Sequence, residues 1–276
     1  MGEVGLRGMQ NGKISVLMGV RNCEHTLAAA MDSLLAQTYE NWELIVCDDA
    51  STDGTYDIAK AYAARYPEKI RLLRNEEQSF LAFSLNRCLK EATGEFVARM
   101  DGDDVSLPER FEKQAAFLHA HPEAAIVGSF MQRLNDRGER GAVVRAEAYP
   151  DRFTPHRGTV FLHATVLGRK EVFDSLGGYT VLPRTRRGQD LDLWFRFLHA
   201  GYQGANLPEV LYLVRENEGS LRRRTAHTRW INFQTTLYGY RLLSYPWYWY
   251  WKPLVLLLKI FVPYRIVGIL RKHQNR

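Results

Sequence analysis

Cysteine is scarce in this chain: Cys23, Cys47 and Cys88 are the only three. They are far apart, odd in number and match no zinc-ligand spacing. A disulfide framework and a zinc module are therefore excluded, and the thiols read as reduced groups of a cytosolic protein. Long hydrophobic runs are also lacking. A membrane span needs about 20 predominantly apolar residues. In the apolar C-terminal stretch Lys252, Pro253, Lys259, Pro263 and Arg265 break every run well short of that. Met1 to Lys13 is Gly-rich and polar, without an apolar signal region. Leu6 stands where myristoylation after Met1-Gly2 wants Ser or Thr. The segment Leu17-Met18-Gly19-Val20-Arg21 has no Gly-rich phosphate loop, and no nucleic-acid recognition motif occurs anywhere.

What remains is ordinary globular composition, 46% apolar and 25% charged over 276 residues, enough for one large α/β domain or two small ones. A net charge of +6 and a pI near 9.2 point to an anionic partner: nucleic acid, an acidic membrane surface or a phosphorylated ligand. Because the basic residues cluster in the lipid-like tail, nucleic acid is the poorest fit.

The most informative stretch is Glu95-Phe96-Val97-Ala98-Arg99-Met100-Asp101-Gly102-Asp103-Asp104. A short apolar run ends in three carboxylates within four positions. In an α/β sheet the carboxyl ends of strands open into the crevice where ligands bind. Asp101 and Asp103, two apart around Gly102, could aim at one divalent cation, since Mg²⁺ and Mn²⁺ take oxygen ligands. An acidic surface turn is the plain alternative.

Strand and helix alternate across roughly the first 130 residues. The strand Ile14 to Val20 leads to Arg21-Asn22, and Leu27, Met31, Leu34 and Leu35 then recur at helical spacing. The strand Glu43 to Cys47 runs into Asp48-Asp49, followed by Ser51-Thr52-Asp53-Gly54-Thr55, rich in N-cap residues. Lys69 to Leu73 reads as a third strand, and Leu81, Leu85, Cys88, Leu89 and Ala92 form an amphipathic stripe that Gly94 should end. This pattern predicts a mostly parallel, doubly wound sheet whose strand ends bring Arg21, Asp48-Asp49 and the acidic cluster to one site. Pro108 opens a further helix, Ala125 to Phe130 reads as a strand, and from Met131 to Arg157 the alternation gives way to polar sequence with a turn at Asn135-Asp136-Arg137-Gly138. Residues 1–12 are expected to be a flexible N-terminus. Residues 13–221 form the domain, divided into a nucleotide half (13–130) and an acceptor half (131–221).

Within the second half, the basic loop 184–188 leads into a helix carrying Asp190 and Asp192 near its start. Two positions turn about 200° around a helix, so the two carboxylates cannot face one site. Either could simply complement the helix dipole. Farther on, Tyr245-Pro246-Trp247-Tyr248-Trp249-Tyr250-Trp251 packs six aromatics into seven positions, beside basic residues. Trp and Tyr favour the headgroup layer, and Lys and Arg favour anionic lipid. Residues 222–276 are thus expected to attach peripherally to a membrane without spanning it. An apolar arm packed on its own domain or on a second subunit is the alternative, and it leaves a homo-oligomer open.

These pieces together resemble the inverting glycosyltransferase family 2, which has the GT-A nucleotide-sugar fold. The resemblance is carried by Ser15 to Asn22, Ser33-Leu34-Leu35-Ala36-Gln37-Thr38-Tyr39, Asp48 to Thr55, Ala92-Thr93-Gly94-Glu95-Phe96 with the acidic cluster, Gly177-Gly178-Tyr179 and Gln189 to Trp194. It covers about residues 13 to 221. It implies transfer of a sugar from a nucleotide diphosphate sugar to a lipid-linked or saccharide acceptor, at the cytoplasmic face of the membrane. UDP is the first expectation, although guanine or thymine could replace uracil. By the same resemblance Val20, Arg21, Glu24, Asp48 and Asp49 line the nucleotide pocket, and Asp101, Gly102 and Asp103 form the D-x-D motif. Asp103 would ligate Mn²⁺ or Mg²⁺ most directly, with Asp101 reaching the ribose or the metal, and Asp190 is the catalytic base. Arg74, Arg99 and the 184–188 loop are candidate diphosphate contacts.

The chain departs from the family at three places. Gln189 replaces the Glu beside the base, Phe80 stands where members often carry glycine, and Asn217-Glu218 follow Arg215 where many carry histidine. Three other readings are a nucleotidyltransferase, a phosphoacceptor signalling domain, and a membrane-bound nucleotide-binding partner without turnover. The first would need the phosphate loop this chain lacks. Length and the third acidic cluster speak against the second.

Overall fold

The structure is a computed structural model that describes residues 12–215 and 225–258. Its first half consists of β1 (Ile14–Val20), α1 (Leu27–Leu35), β2 (Trp42–Asp48), α2 (Thr55–Arg65), β3 (Ile70–Arg74), α3 (Phe80–Glu91) and β4 (Phe96–Arg99). These four strands are parallel in the order β3-β2-β1-β4. The sequence dictates this by being apolar on both strand faces, as sheets covered by helices on two sides must be. Val16, Met18 and Val20 of β1 pack with Leu27, Met31 and Leu34 of α1, while the alternate residue Leu17 packs with Leu85, Cys88 and Leu89 of α3. Because β1 has β2 on one side and β4 on the other, the strand order reverses there. That reversal is where open α/β sheets leave a crevice at the strand carboxyl ends.

The second half adds β5 (Val105–Ser106), α4 (Arg110–Ala120), β6 (Ala124–Leu134), β7 (Arg140–Val144), α5 (Thr154–Arg157), β8 (Leu167–Arg169), α6 (Lys170–Ser175), α7 (Gln189–His199) and β9 (Gln203–Arg215). A nine-stranded sheet runs on through β4-β8-β6-β9-β5, with β7 paired to β6. Strand β8 is antiparallel to both β4 and β6, and β9 is parallel to β6 and antiparallel to β5.

Several boundaries differ from expectation. Strand β2 takes in Asp48, and β6 continues to Leu134 before a hairpin into β7. The polar turn appears where it was expected, with Asn135 accepting from the backbone N–H groups of Arg137 and Glu139. Helix α3 ends at Glu91, before Gly94. Gly94 is needed for a different reason: a Cβ there would lie 2.4 Å from the Lys13 carbonyl oxygen.

The C-terminal stretch divides in two. Helix α8 (Ala226–Leu242) is seated on α7, with Thr235 Oγ1 donating to the Arg184 carbonyl at 2.6 Å and Tyr240 fully buried. A Cβ on Gly239 would overlap the Phe195 ring at 2.0 Å, so the two helices touch through a residue that has no side chain. This part of the tail packs on its own domain. Beyond it, Trp247, Tyr248 and, on α9 (Trp251–Leu258), Trp251, Leu254 and Leu258 are exposed. Among the described residues no helix is long and apolar enough to cross a membrane. The expectations for residues 1–11, for Asn217-Glu218 and for residues 259–276 lie outside the described residues.

Candidate active site

Sheet register sets the site. Val20, Asp48 and Arg74 stand level at the carboxyl ends of β1, β2 and β3, and Leu17 of β1 pairs with Arg99 of β4. Gly102 then lies directly on the β1 exit, where an added Cβ would stand 2.7 Å from Val20 Cγ1. Only a glycine lets the acidic turn come this close. The loops after β1 and β2 are laced together. Asn22 N–H donates to Ser51 Oγ, Cys23 N–H to Thr55 Oγ1, Glu24 N–H to Asp53 Oδ2, Thr52 N–H to Asn22 Oδ1, and Gly54 N–H to Glu24 Oε2. The N-cap of α2 is Gly54 with no side-chain cap, because the Ser, Thr and Asp expected to cap it are spent on this lacing.

The acidic turn rests on two fully buried arginines. Arg99 pairs with Asp101 Oδ1 and donates to the Met100 carbonyl, holding the turn from below. It is 1% exposed and therefore anchors the turn from within, away from any diphosphate in the cleft. Arg110 donates to the carbonyls of Arg99 and Val166 at 2.9 and 3.2 Å, and burial depresses its pKa to about 10. From the other side Tyr212 Oη accepts the Asp101 N–H at 3.2 Å. Arg215 N–H donates to Asp104 Oδ1 at 2.8 Å, and Arg215 Nε donates to the Asp103 carbonyl at 3.1 Å. Burial, then the charges of Asp101 and Asp103, push the Asp104 carboxyl well above the usual carboxylate range. The turn thus holds more negative charge than its surroundings neutralise.

Asp190 and Asp192 separate cleanly. Asp192 is fully enclosed and accepts from Thr180 Oγ1 (2.6 Å), Arg196 Nε (2.8 Å) and Arg184 Nη1. Although burial opposes ionisation, these partners hold it below the usual range, so it ties α7 to its entry loop. Asp190 is half-buried and faces a cleft of about 480 Å³ that it shares with Arg21, Asp49, Arg186, Arg187 and His227. Desolvation raises its pKa. The Leu191 N–H and the charge of Arg99 oppose the rise, and the charge of Asp101 adds to it. Asp190 is therefore in electrostatic reach of the acidic turn, and its raised basicity suits a group that must accept a proton near neutral pH.

The other expected residues take varied places. Asp49 lines the cleft, but its carboxylate also accepts from Asn75 Nδ2 (2.7 Å), Ser79 N–H (2.7 Å) and Phe80 N–H (2.9 Å), which holds the start of α3. Asp48 is fully buried, and its Oδ1 lacks a hydrogen-bond partner, an orphan acceptor that a ligand N–H would satisfy. Arg74 lies over the Tyr56 ring at 4.1 Å and 3.5 Å from Asp48 Oδ2, leaving half its side chain exposed. Glu24 holds the Gly54 N–H. Within the basic loop, Arg184 is committed to Asp192 and the Tyr238 ring, whereas Arg186, over the Phe80 ring at 4.2 Å, and Arg187 face the cleft. Sequence reasoning did not find Arg110, Tyr212 or the α8 residues His227, Thr228 and Ile231 that complete the cleft wall.

Among the described residues no group of three or more His, Cys, Asp or Glu could hold a metal by itself. Asp101 and Asp103 nonetheless offer the hard carboxylate donors that Mg²⁺ or Mn²⁺ takes when substrate phosphates fill the remaining positions. The surplus negative charge read from Asp104 also fits a cation at this turn.

Comparison with known proteins agrees with this geometry. The sequence model of Glycosyl transferase family 2 matches residues 15–177. EpsE of Bacillus subtilis, a protein named as a glycosyltransferase, is 49% identical over 213 residues, 77% of this chain and 76% of EpsE. WfgD of Escherichia coli, named UDP-Glc:alpha-D-GlcNAc-diphosphoundecaprenol beta-1,3-glucosyltransferase, is 35% identical over 122 residues, 44% of this chain and 47% of WfgD. Among solved structures, the mannosyltransferase PcManGT of Pyrobaculum calidifontis with GDP-Man and Mn²⁺ superposes with a TM-score of 0.66. It is 17% identical, over 96% of this chain and 80% of that one. This likeness shows the same fold.

Proposed function

The chain belongs to glycosyltransferase family 2, and from that premise we propose that it transfers a sugar from a nucleotide diphosphate sugar to a hydroxyl of a lipid-linked or polysaccharide acceptor in cell-surface glycan synthesis. The donor is UDP-linked and the anomeric carbon inverts. The observation that carries this reading is the shared cleft at the strand ends, where Arg21 and Asp49 face Asp190 while Asp101 acts on Asp190 electrostatically. The base would lie beside the orphan Asp48 Oδ1 and the Arg74–Tyr56 stack. Asp101 and Asp103 would hold the divalent metal, which when bound neutralises charge on the leaving diphosphate.

The reaction is one displacement. The acceptor oxygen forms a bond to the anomeric carbon as the bond from that carbon to the diphosphate oxygen breaks. Asp190 takes the hydroxyl proton, and the nucleoside diphosphate leaves with the electron pair. Attack from the face opposite the leaving group inverts the centre, as in single-displacement hydrolases. Arg99 and Arg110 hold the acidic turn still while charge moves across it. The exposed Trp247, Tyr248, Trp251, Leu254 and Leu258 would rest in the headgroup layer on the cytoplasmic face, next to a lipid-borne acceptor.

The test is nucleotide release from candidate nucleotide sugars with Mn²⁺. Folded Asp103→Ala and Asp190→Asn proteins that kept wild-type turnover would rule this mechanism out.

A further inference from the structure

The acceptor side of the cleft carries more positive potential than one donor diphosphate would need. Three helices begin at its wall: α3 contributes Phe80, α7 contributes Gln189 and Asp190, and α8 contributes His227. Helix N-termini carry partial positive charge and attract anions. To these the entry loop of α7 adds Arg186 and Arg187, both exposed to the cleft. The neighbouring Arg184 is taken up by Asp192, and Arg157 by Glu147 and Asp151. No ion pair engages Arg186 or Arg187 among the described residues, and Arg186 makes only its stack on Phe80. Two arginines without carboxylates beside a general base are costly neighbours, because they stabilise the ionised carboxylate and so work against its basicity. An anion that binds them removes that conflict.

Asp190 fixes which substrate that anion belongs to. In a single displacement the leaving diphosphate and the attacking hydroxyl lie on opposite sides of the anomeric carbon. The acidic turn marks the leaving side and Asp190 the attacking side. Arg187 and His227 line the cleft with Asp190, while Asp101 and Asp103 are absent from that lining. We propose that Arg186, Arg187 and His227 form a second anion subsite, which takes a diphosphate carried by the acceptor near its reacting sugar. This rests on the glycosyl-transfer reading and adds to it the chemical class of the acceptor. The guanidinium forks suit phosphate oxygens bidentately, and the N-terminus of α8 contributes its dipole. The C-terminal helix thereby becomes a recognition element as well as a support for the aromatic patch.

The experiment measures inorganic pyrophosphate binding to the full chain by calorimetry, with Mg²⁺, in the absence and in the presence of saturating UDP. With UDP bound, one equivalent of pyrophosphate should still bind. An Arg186→Gln/Arg187→Gln double variant should weaken that binding at least tenfold, and His227→Gln should weaken it by a smaller factor. Pyrophosphate that is fully displaced by UDP would overturn the proposal, because the arginines would then serve the donor. Pyrophosphate affinity unchanged in the double variant would overturn it too, provided the melting temperature matches wild type. A chain that binds pyrophosphate through these arginines but binds no nucleotide would support the subsite and refute the donor reading.

Discussion

Asp190 and Asp192 sit two positions apart on one helix and have opposite fates. Asp192 is surrounded by Thr180, Arg184 and Arg196 and serves structure. Asp190 faces the cleft with a raised pKa. Periodicity could show that they point apart, but it could not say which one looks into the site, since the partners of Asp192 come from a loop and from the next turn. For Asp190→Asn we predict a fall in turnover of about 10²–10⁴-fold, the usual contribution of a positioned base, with donor affinity largely kept. The acidic limb of kcat/KM should also lie above the ordinary carboxylate pKa of about 3.9. Activity should rise with pH through that limb, because only the ionised carboxylate accepts a proton. A pH–rate profile that is flat down to about pH 4 would place the base elsewhere.

At the scale of elements, β1, β2, α1 and α3 were legible because their apolar spacing is continuous and local. Gly102 and the acid cluster at the end of β4 were legible for the same reason. Strands β5, β8 and β9 were not. Their pairings join residues such as Val105 and Leu213, whose contact no local pattern announces. The role of Arg215 and Tyr212 in fixing the acidic turn was hidden for that reason. Glu43 at the start of β2 makes a comparable long-range tie. Against the cost of burial, Lys13, Ser15 and Thr93 draw its pKa down to about 2. A depressed carboxylate stabilises above its unfolded pKa and loses that contribution as pH falls toward the folded value. Glu43→Gln should therefore cost up to about 3 kcal/mol at pH 7 and much less at pH 3, read from urea unfolding at both pH values. An equal loss at the two pH values would contradict the linkage. For helix α8 the sensitive residue is Gly239, which lies against Phe195. Gly239→Val should destabilise by about 1–3 kcal/mol through overpacking, seen as a lower melting temperature.

For the molecule as a whole, the aromatic tail was read as a membrane attachment or an arm packed on its own domain, and its described part has both aspects. Helix α8 is part of the domain and lends His227 to the cleft, while Trp247, Trp251 and Leu254 face outward. Burying such side chains yields roughly 25 cal/mol per Å² of apolar surface. Trp247→Ser together with Trp251→Ser should therefore cut co-sedimentation with anionic vesicles severalfold and leave thermal stability near wild type. Undiminished vesicle binding would assign any membrane contact to other residues.

The central claim is that carboxylates from distant parts of the chain meet around one metal-bridged nucleotide, with Asp190 as the proton acceptor across from it. Its most direct test is calorimetric titration of UDP with and without Mn²⁺ into wild type, Asp103→Ala and Asp190→Asn. The account predicts that Asp103→Ala loses the metal-dependent part of the affinity while Asp190→Asn keeps it. Metal-dependent binding that survives intact in Asp103→Ala would contradict the account.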